Sequence, residues 1–192
     1  MSFEIKVTDL IIDEIEKLGL KKYRQYFHYN FTNWLPFYWR GYSQTTRYTY
    51  IIDKEITEDE VWNNFNGNIR TSINKAKKIL NVKEKIECEE FYKLVEKTYL
   101  RQNLKTPFEL KTLKRIYENL NSHNALKTLY AVDEENNIHA AALFGIDSES
   151  IYYLMSGSDE KFRDSQALTL LIYKGILYAK SVNKKFDFEG SM

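Results

Sequence analysis

Six stretches of the chain carry apolar residues at intervals of three and four residues, which is the period of an amphipathic helix. This spacing predicts helices over residues 8–19, 59–65, 68–80, 89–101, 108–120 and 165–182. The last is the most regular, with an apolar face that runs from Leu168 to Val182. Gly19 is predicted to end the first helix, and Asn68 to cap the third.

Alternating apolar and polar positions predict strands over residues 24–32, 45–52, 82–87, 125–132, 138–146, 151–156 and 185–188. The short turns DEENN and DSES join the strands between residues 125 and 156, which predicts an antiparallel meander. The helix at 165–182 and the strand after it predict a right-handed crossover to a parallel neighbour. The fold class is therefore α+β, a mixed sheet with one parallel strand and flanking helices.

Composition narrows the classes of function. Lys and Arg total 28 and Asp and Glu total 27, giving a net charge of +1, so the chain lacks the cationic excess of a dedicated DNA binder. No apolar run reaches the about 20 residues that a membrane-spanning helix needs. With 43% hydrophobic residues and an N-terminus unlike a signal peptide, the chain is predicted to be a folded cytoplasmic protein.

Several kinds of site are excluded by the residues they would need. Neither phosphate-loop motif, GxGxxG or GxxxxGK[ST], occurs in the chain. Cys88 is the single cysteine and the three histidines are scattered, so neither a disulfide nor a metal site is predicted. Acidic neighbours make Cys88 a poor nucleophile. His139, inside an apolar strand, is interpreted as a hydrogen-bonded sheet residue.

The order of elements resembles the GNAT acyltransferase fold. Within that superfamily, three segments look like parts of bacterial FemAB-like proteins: NWLPFYWRGYSQTTRYTY (33–50), IRTSINKAKK (69–78) and KFDFEGSM (185–192). The resemblance covers roughly residues 25–192. It implies a GNAT-like mixed sheet and an acyltransferase activity.

FemAB-like proteins carry two GNAT-like domains in tandem, and this pattern sets the expected domain organisation. Residues 1–57 are predicted to be the tail of a preceding GNAT-like domain. Residues 58–192 are predicted to form one GNAT-like domain without its last helix and hairpin. The resemblance therefore implies a fragment of a two-domain protein.

The resemblance also implies an acyl-CoA co-substrate, such as acetyl-CoA, whose pyrophosphate rests at the start of the crossover helix in GNAT proteins. A helix N-terminus offers unpaired N–H groups and positive partial charge to an anion. In this chain that position holds the predicted cofactor-binding residues Lys161, Arg163, Ser165, Gln166 and Ala167. The alternative is an ordinary helix cap at Asp164 or Ser165, with two solvated cations.

The resemblance places the predicted catalytic residues at Glu189, as base or amine-binding group, and at Tyr153. The alternatives are a charged residue leaving the sheet edge and a core tyrosine. Substrate binding is predicted for two aromatic-loop residues and two cations of one helical stripe, namely Trp34, Trp39, Arg70 and Lys77. Interdomain packing and a solvated stripe are the alternatives. The aromatic loop 33–42 is also a candidate homodimer contact.

Three functions are left open at this point. The first is an N-acyltransferase that moves an acyl group from acyl-CoA to an amine of a small molecule or a cell-envelope precursor. The second is an aminoacyl-tRNA-dependent transferase of the FemAB type, acting on a peptidoglycan precursor. The third is a non-catalytic GNAT-like structural or interaction module.

Overall fold

The computed structural model describes residues 2–190, which fall into two compact units divided between Thr46 and Arg47. The C-terminal unit begins at Arg47 and takes in a short strand before residue 58. The assignment of residues 1–57 to the tail of one GNAT-like domain and of residues 58–192 to a second stays a prediction. The last two residues of the KFDFEGSM segment lie outside the described residues.

The N-terminal unit contains helices α1 (Phe3–Lys17) and α2 (Leu35–Trp39). Ser2 caps α1 by accepting a hydrogen bond from the Ile5 backbone N–H at 3.4 Å. The Arg40 guanidinium, directly after α2, lies 2.5 Å from the Asp13 carboxylate and 3.0 Å from that of Glu16. These ion pairs tie the end of α2 to the last turns of α1.

The strand predicted over residues 24–32 is wrong, because these residues form a turn and irregular backbone. The Phe31 N–H donates to the His28 carbonyl at 2.8 Å, which closes a turn in the middle of the segment. Its aromatic rings pack on one another, with Phe27 and Phe31 stacked at 4.3 Å between centroids. Aromatic-rich segments favour strands only where a neighbouring strand supplies pairing, and this segment pairs with none.

The five helices predicted in the C-terminal unit are all present, with ends shifted by a few residues. They are α3 (Glu58–Asn64), α4 (Gly67–Ile79), α5 (Cys88–Leu100), α6 (Leu110–Ser122) and α7 (Ala167–Ser181). Asn66, not Asn68, caps α4, because its side-chain oxygen accepts a hydrogen bond from the Ile69 N–H at 3.0 Å. A 3₁₀ helix, Glu160–Ser165, precedes α7.

Six strands form one mixed sheet in the order β1-β6-β5-β4-β3-β2. They are β1 (Ile51–Ile52), β2 (Asn81–Glu84), β3 (Leu126–Val132), β4 (Ile138–Ile146), β5 (Ser150–Ser158) and β6 (Lys185–Asp187). The predicted meander and the parallel β5–β6 pair are confirmed. The strand predicted over 45–52 is reduced to the two residues of β1. Its partner β6 has only three residues, and β1 pairs with the last two of them, Phe186 and Asp187.

Helices cover both faces of the sheet. On one face, α4 and α7 pack through residues such as Ile73 and Leu171 against Phe144 and Phe186 of the strands. On the other face, α5 and α6 bury residues that include Phe91 and Leu113 against the opposite side of β4. The crossover helix α7 thus lies on the same face as α4, where a right-handed connection from β5 to β6 places it.

Two β-bulges interrupt the otherwise regular ladders of β4. Leu143 pairs with Met155 and Phe144 with Tyr153, so Leu154 is the extra residue in β5. At the other end, Ala131 pairs with Ala140 and Val132 with Ile138, so His139 is the extra residue in β4. Each bulge reverses the alternation of side chains beyond it. The interpretation of His139 as a hydrogen-bonded sheet residue agrees with its place in β4 and its contact with Asp133 at 3.1 Å, and the bulge is an addition to it.

A close approach between β5 and α5 generates the first prediction. A Cβ atom at Gly157 would lie 2.4 Å from the backbone of Leu94 and Val95, which cannot move without shifting α5. We expect Gly157→Ala to lower the free energy of unfolding by about 2 kcal/mol or more, as measured by urea denaturation.

Gly67→Ala is the matched control, since a Cβ at this first residue of α4 meets nothing within 4 Å. Its free energy of unfolding should stay within about 0.5 kcal/mol of the wild type or rise slightly. Equal stability of the two variants would contradict the close packing of β5 on α5.

Candidate ligand pocket and active site

The two central parallel strands stay together for only part of their length. Within the described chain, β5 pairs with β6 through residues 150–152, matched to residues 185–187. Beyond that point residues 153–158 of β5 continue to pair with β4 but have no strand on their other side. The result is an open strand edge that leads from the end of β6 to the start of the 3₁₀ helix.

A cavity of about 310 Å³ lies where this open edge ends. The start of β4, the end of β5, the 3₁₀ helix and the first turn of α7 all contribute to its wall. We call it the α7 pocket. Its lining residues are Arg101, His139, Ala140, Ser158, Asp159, Phe162, Arg163, Gln166, Ala167, Leu168 and Thr169.

The first turn of α7 presents backbone donors to this pocket. Gln166 precedes the helix in the left-handed conformation, with φ of 61°, and its side chain makes no capping hydrogen bond. The Leu170 N–H donates to the Gln166 carbonyl, so the N–H groups of Ala167, Leu168 and Thr169 precede the first bond of the helical ladder. The observed cap is thus Gln166, and neither Asp164 nor Ser165 fills that role.

Two arginines give the pocket positive charge, and its one carboxylate is already paired. Arg163 comes from the 3₁₀ helix, and Arg101 directly follows α5. The Asp159 carboxylate lies 2.5 Å from the Lys97 ammonium and accepts the Lys161 backbone N–H at 3.0 Å. Burial opposes ionisation of Asp159, but these two donors outweigh it and lower the pKa of its carboxyl. The pocket therefore suits an anionic ligand.

His139 forms the back of the pocket because the bulge in β4 redirects its side chain. Its ring stacks on Phe162 at 4.0 Å between centroids, with an angle of 4° between the planes. Its Nε2 lies 3.1 Å from Asp133 Oδ2, at the turn between β3 and β4. His139 is 6% exposed, and its Nδ1 has no hydrogen-bond partner among the residues that the structure describes.

The structure brings together three of the five residues predicted to bind the cofactor. Arg163, Gln166 and Ala167 line the α7 pocket. Lys161 is exposed on the 3₁₀ helix, outside the pocket lining, and Ser165 is buried beneath it. All five assignments stay predictions. The free backbone N–H groups at the start of α7 belong to Ala167, Leu168 and Thr169.

Arg101 and His139 are two polar pocket residues that sequence reasoning missed. Arg101 lies more than 60 residues before the start of α7 in the chain and reaches the pocket because α5 runs along β5. The Thr98 hydroxyl accepts the Ser158 N–H at 2.9 Å and fixes this register. The only sequence signal for His139 is a histidine six residues after Asp133, across a predicted turn.

The predicted catalytic pair lies at the other end of the open edge. Tyr153 is the first residue of β5 beyond the β6 pairing, and its hydroxyl donates to Ser156 Oγ at 2.5 Å. Burial raises the pKa of Tyr153, so its hydroxyl keeps its proton at neutral pH. Partial burial and the neighbouring Asp187 raise the pKa of Glu189, an effect that Arg47 opposes. Asp187 also accepts the Glu189 backbone N–H at 2.8 Å.

Two of the predicted substrate-binding residues make contacts within the C-terminal unit. Arg70 donates to the Asn63 carbonyl at 3.0 Å, and the Lys77 ammonium lies 5.1 Å and 4.9 Å from the ring centroids of Trp62 and Tyr173. Their substrate roles stay predictions.

The other two belong to the N-terminal unit. The half-buried Trp34 ring lies 5.6 Å from that of Tyr38, and Trp39 is 56% exposed. The substrate and homodimer roles of this aromatic loop also stay predictions.

A second cavity has the opposite charge balance to the α7 pocket. A cavity of about 390 Å³ beside α5 is lined by Glu96, Glu109 and Lys105 as its charged residues, so its net charge is negative. Across the described chain, no group of three or more His, Cys, Asp or Glu side chains is arranged to hold a metal ion. No helix in the same range is long and apolar enough to cross a membrane.

Comparison with solved structures places this geometry among known folds. The chain superposes on FemX with a TM-score of 0.68 at 16% sequence identity, over 74% of this chain and 52% of that one. The fold is GNAT-like, of the FemAB type. The FemAB-type fold predicted from the sequence is thereby confirmed, and the chain spans about half the length of FemX.

Two further solved structures superpose on this chain. L-PGS from Bacillus licheniformis gives a TM-score of 0.53 at 13% identity, over 81% of this chain and 49% of its own. A conserved protein of unknown function from Bacteroides thetaiotaomicron gives 0.50 at 13% identity, over 75% and 50%. No family model matches the sequence, and a search of curated proteins finds no match. These identities establish the fold alone.

The turn that holds His139 generates a prediction about pH. Hydrogen bonds from Asn137, together with that from His139, outweigh burial and lower the pKa of Asp133 from 3.8 to about 2. A lowered pKa stabilises the native state above pH 3.8, and this contribution is lost as the pH falls towards 2. We expect Asp133→Asn to lower the melting temperature at pH 7, with a difference from the wild type that narrows between pH 4 and pH 2.

Asp164→Asn is the control, because Asp164 is exposed on the 3₁₀ helix. Its melting curves should follow the wild type at every pH, as measured by circular dichroism. If the melting temperatures of Asp133→Asn and the wild type differed by the same amount down to pH 2, the ionised Asp133 carboxylate would not be the source of the stabilisation.

Proposed function

We propose that this chain is the GNAT-like part of an N-acyltransferase that takes an acyl group from acyl-CoA and transfers it to an amine. The observation that carries the proposal is the α7 pocket itself. It combines unbonded helix N–H groups with Arg101 and Arg163 at the end of an open strand edge, in a FemAB-type fold.

The α7 pocket fits the phosphates of such a donor. The N–H groups of Ala167, Leu168 and Thr169 point out of the helix start, where the helix dipole favours negative charge. Arg101 and Arg163 add charge-assisted hydrogen bonds, each contributing about 1.5–3 kcal/mol when its partner is charged. Because Lys97 neutralises Asp159, an entering anion meets no unpaired carboxylate among the pocket residues.

The open edge of β5 supports a long, extended donor. Residues 153–158 span roughly 17 Å at 3.3 Å per residue between Tyr153 and the pocket. The Thr98 hydroxyl already bonds to the backbone of Ser158. Up to Gly157 the outward backbone groups have no strand partner among the described residues, so they are available to an arm that runs along the edge. A ligand bound by its phosphates in the α7 pocket would carry its acyl group towards Tyr153 and Glu189 along this path.

The reaction follows from the two groups at that end. The amine nitrogen attacks the thioester carbonyl carbon, and the C–S bond breaks as the amide forms. Glu189 takes a proton from the amine, a role that its raised pKa favours, and Tyr153 donates its proton to the leaving thiolate. The raised pKa of Tyr153 ensures that this proton is present at neutral pH. The products are an N-acylated amine and CoA.

A second function is favoured by the match to FemX, which gives a TM-score of 0.68. In that case the donor is an aminoacyl-tRNA, and the α7 pocket holds phosphates near the 3′ end of the RNA. The electrostatics favour the smaller donor, because the chain carries a net charge of only +1. The acyl-CoA donor is therefore our first proposal and the aminoacyl-tRNA donor our second.

Donor binding is tested by measuring the affinity for CoA with calorimetry. We expect Arg101→Ala and Arg163→Ala each to weaken CoA binding roughly tenfold, because each removes a charged hydrogen bond. Lys161→Ala should have a smaller effect, since Lys161 lies outside the pocket lining. Lys174→Ala, an exposed cation on α7 itself, is the control and should bind like the wild type.

The other results of this titration separate the candidate functions. Unchanged CoA affinity in both arginine variants would place the donor elsewhere and overturn the pocket assignment. Binding of an RNA minihelix ending in CCA, without binding of CoA, would favour the aminoacyl-tRNA donor. If neither ligand binds, the chain is the non-catalytic module.

The catalytic pair is tested by the release of CoA thiol from acetyl-CoA in the presence of a panel of amino sugars and amino acids. We expect Glu189→Gln and Tyr153→Phe each to lower kcat by about 100-fold, with little change in the KM for acetyl-CoA. In the wild type the rate should rise as Glu189 loses its proton, above its ordinary pKa of 4.5. This limb of the pH profile should disappear in Glu189→Gln.

Tyr152→Phe and Glu149→Gln are the matched controls. Tyr152 lies on the opposite face of β5, where its hydroxyl donates to Asp147, and Glu149 is exposed in the preceding turn. Both variants should keep the wild-type kcat. If Tyr152→Phe lost as much activity as Tyr153→Phe, the assignment of the catalytic role to the face of β5 that carries Tyr153 would be wrong.

A further inference from the structure

The turn that follows β6 holds its backbone in an uncommon conformation. Glu189 has a φ of 54°, in the left-handed region that side chains other than glycine rarely adopt, and Gly190 follows in the same region with a φ of 69°. This region is unfavourable for a glutamate, so contacts around the turn impose it. Backbone of this kind clusters at functional sites, where the surrounding structure fixes it.

Asp187 and Thr49 supply those contacts. Asp187 is 4% exposed, and its Oδ1 accepts two hydrogen bonds, from the Glu189 N–H at 2.8 Å and from the Thr49 hydroxyl. The Thr49 Oγ1 in turn accepts the Gly190 N–H at 3.1 Å. The backbone donors of both left-handed residues are therefore bound by one pair of side chains.

Thr49 is itself fixed, although it comes from 138 residues earlier in the chain than Asp187. It lies just before β1, in which Ile51 pairs with Asp187, and the Phe188 N–H donates to the Tyr50 carbonyl at 3.0 Å. The two-residue strand β1 therefore has a consequence beyond the sheet, because it presents the Thr49 hydroxyl to the turn after β6.

Asp187 acts on the charge of Glu189 as well as on its backbone. Burial and the charge of Asp187 raise the pKa of Glu189, whereas Arg47, from the segment before β1, lowers it. An asparagine in place of Asp187 would keep the acceptor oxygen and remove the charge. The two effects of Asp187 can therefore be separated by substitution.

We propose that Asp187 is a positioning residue for the reaction, whose buried carboxylate works with Thr49 to hold the turn that carries Glu189. This inference rests on the proposed function, in which Glu189 takes the proton from the amine, and it adds how that base is held. Asp187 needs no contact with substrate or donor for this role, because it acts through Glu189.

The first test measures the turn without a substrate, by hydrogen exchange of backbone amides in NMR spectra. We expect Asp187→Ala to speed exchange at Glu189, and Thr49→Val to speed it at Gly190, each by about tenfold or more. Thr46→Val, at an exposed threonine of the same segment, is the matched control and should exchange like the wild type. Equal rates in the wild type and in both turn variants would overturn the inference.

The second test is a ¹³C NMR titration of the Glu189 carboxyl, assigned by its loss in Glu189→Gln. In the wild type we expect a pKa above the ordinary 4.5, and in Asp187→Asn a lower pKa than in the wild type. Asparagine has the size of aspartate, so this result stands even where Asp187→Ala unfolds. An unchanged pKa in Asp187→Asn would show that Asp187 does not act on Glu189.

The third test is the pH profile of kcat for the release of CoA thiol. Asp187→Asn should keep the plateau within about threefold and move the acidic limb to lower pH, because only the charge is lost. Asp187→Ala and Thr49→Val should lower the plateau roughly tenfold with the KM for acetyl-CoA unchanged, because the α7 pocket lies at the other end of the open edge. Thr46→Val should keep the wild-type profile.

The outcomes distinguish this inference from the proposed function. If Glu189→Gln lowers kcat but Asp187→Ala and Thr49→Val do not, the inference is wrong while the assignment of the base stands. If Asp187→Asn loses activity that Glu189→Gln keeps, Asp187 is itself the base and the inference is overturned. A merely structural Asp187 would lower the melting temperature of its variants and leave the acidic limb in place, which would overturn it as well. If the wild type releases no thiol with any amine, the proposed function fails and takes the inference with it.

Discussion

The short parallel pairing between β5 and β6 is the constraint on which the rest of the site depends. Residues 150–152 hold β6, and α7 must cross the sheet between the two strands. Because the pairing stops at Tyr152 and Asp187, the second half of β5 keeps an open edge. The same crossover sets the start of α7 at the far end of that edge. One truncated ladder therefore produces both the α7 pocket and the open edge that leads from it to Tyr153.

Backbone groups, more than charged side chains, define the pocket. Gln166 adopts a left-handed conformation and offers no capping oxygen, so the first N–H groups of α7 stay available to a ligand. Asp159, which would otherwise compete for this positive end, is held by Lys97 on the neighbouring helix. A glycine-rich phosphate loop is therefore not needed, and its absence from the sequence does not exclude a phosphate-binding site.

The sequence was sufficient for features that depend on local periodicity, and insufficient for those that depend on register. The apolar spacing of residues 165–182 and the strand after it predicted the crossover and the parallel pair. The aromatic segment 24–32 has strand-like composition but no strand beside it, so its prediction failed. Arg101 and His139 were missed for a related reason. Arg101 reaches the pocket because α5 runs along β5, and His139 lies in the pocket wall because it is the extra residue of the bulge in β4.

The bulge at Leu154 gives β5 one residue more than its pairing with β4 requires. Before the bulge Tyr153 shares a face with Phe186, and after it Met155 faces α5 while Ser156 lies beside the Tyr153 hydroxyl. Deleting Leu154 would leave a regular ladder in which Tyr153 and Met155 still face opposite sides, so every side chain beyond this point would keep its face. Substituting the half-exposed Leu154 would leave the bulge in place. The loss of one residue here therefore keeps the α7 pocket in register with Tyr153, whereas a second inserted residue would shift the rest of β5 against β4.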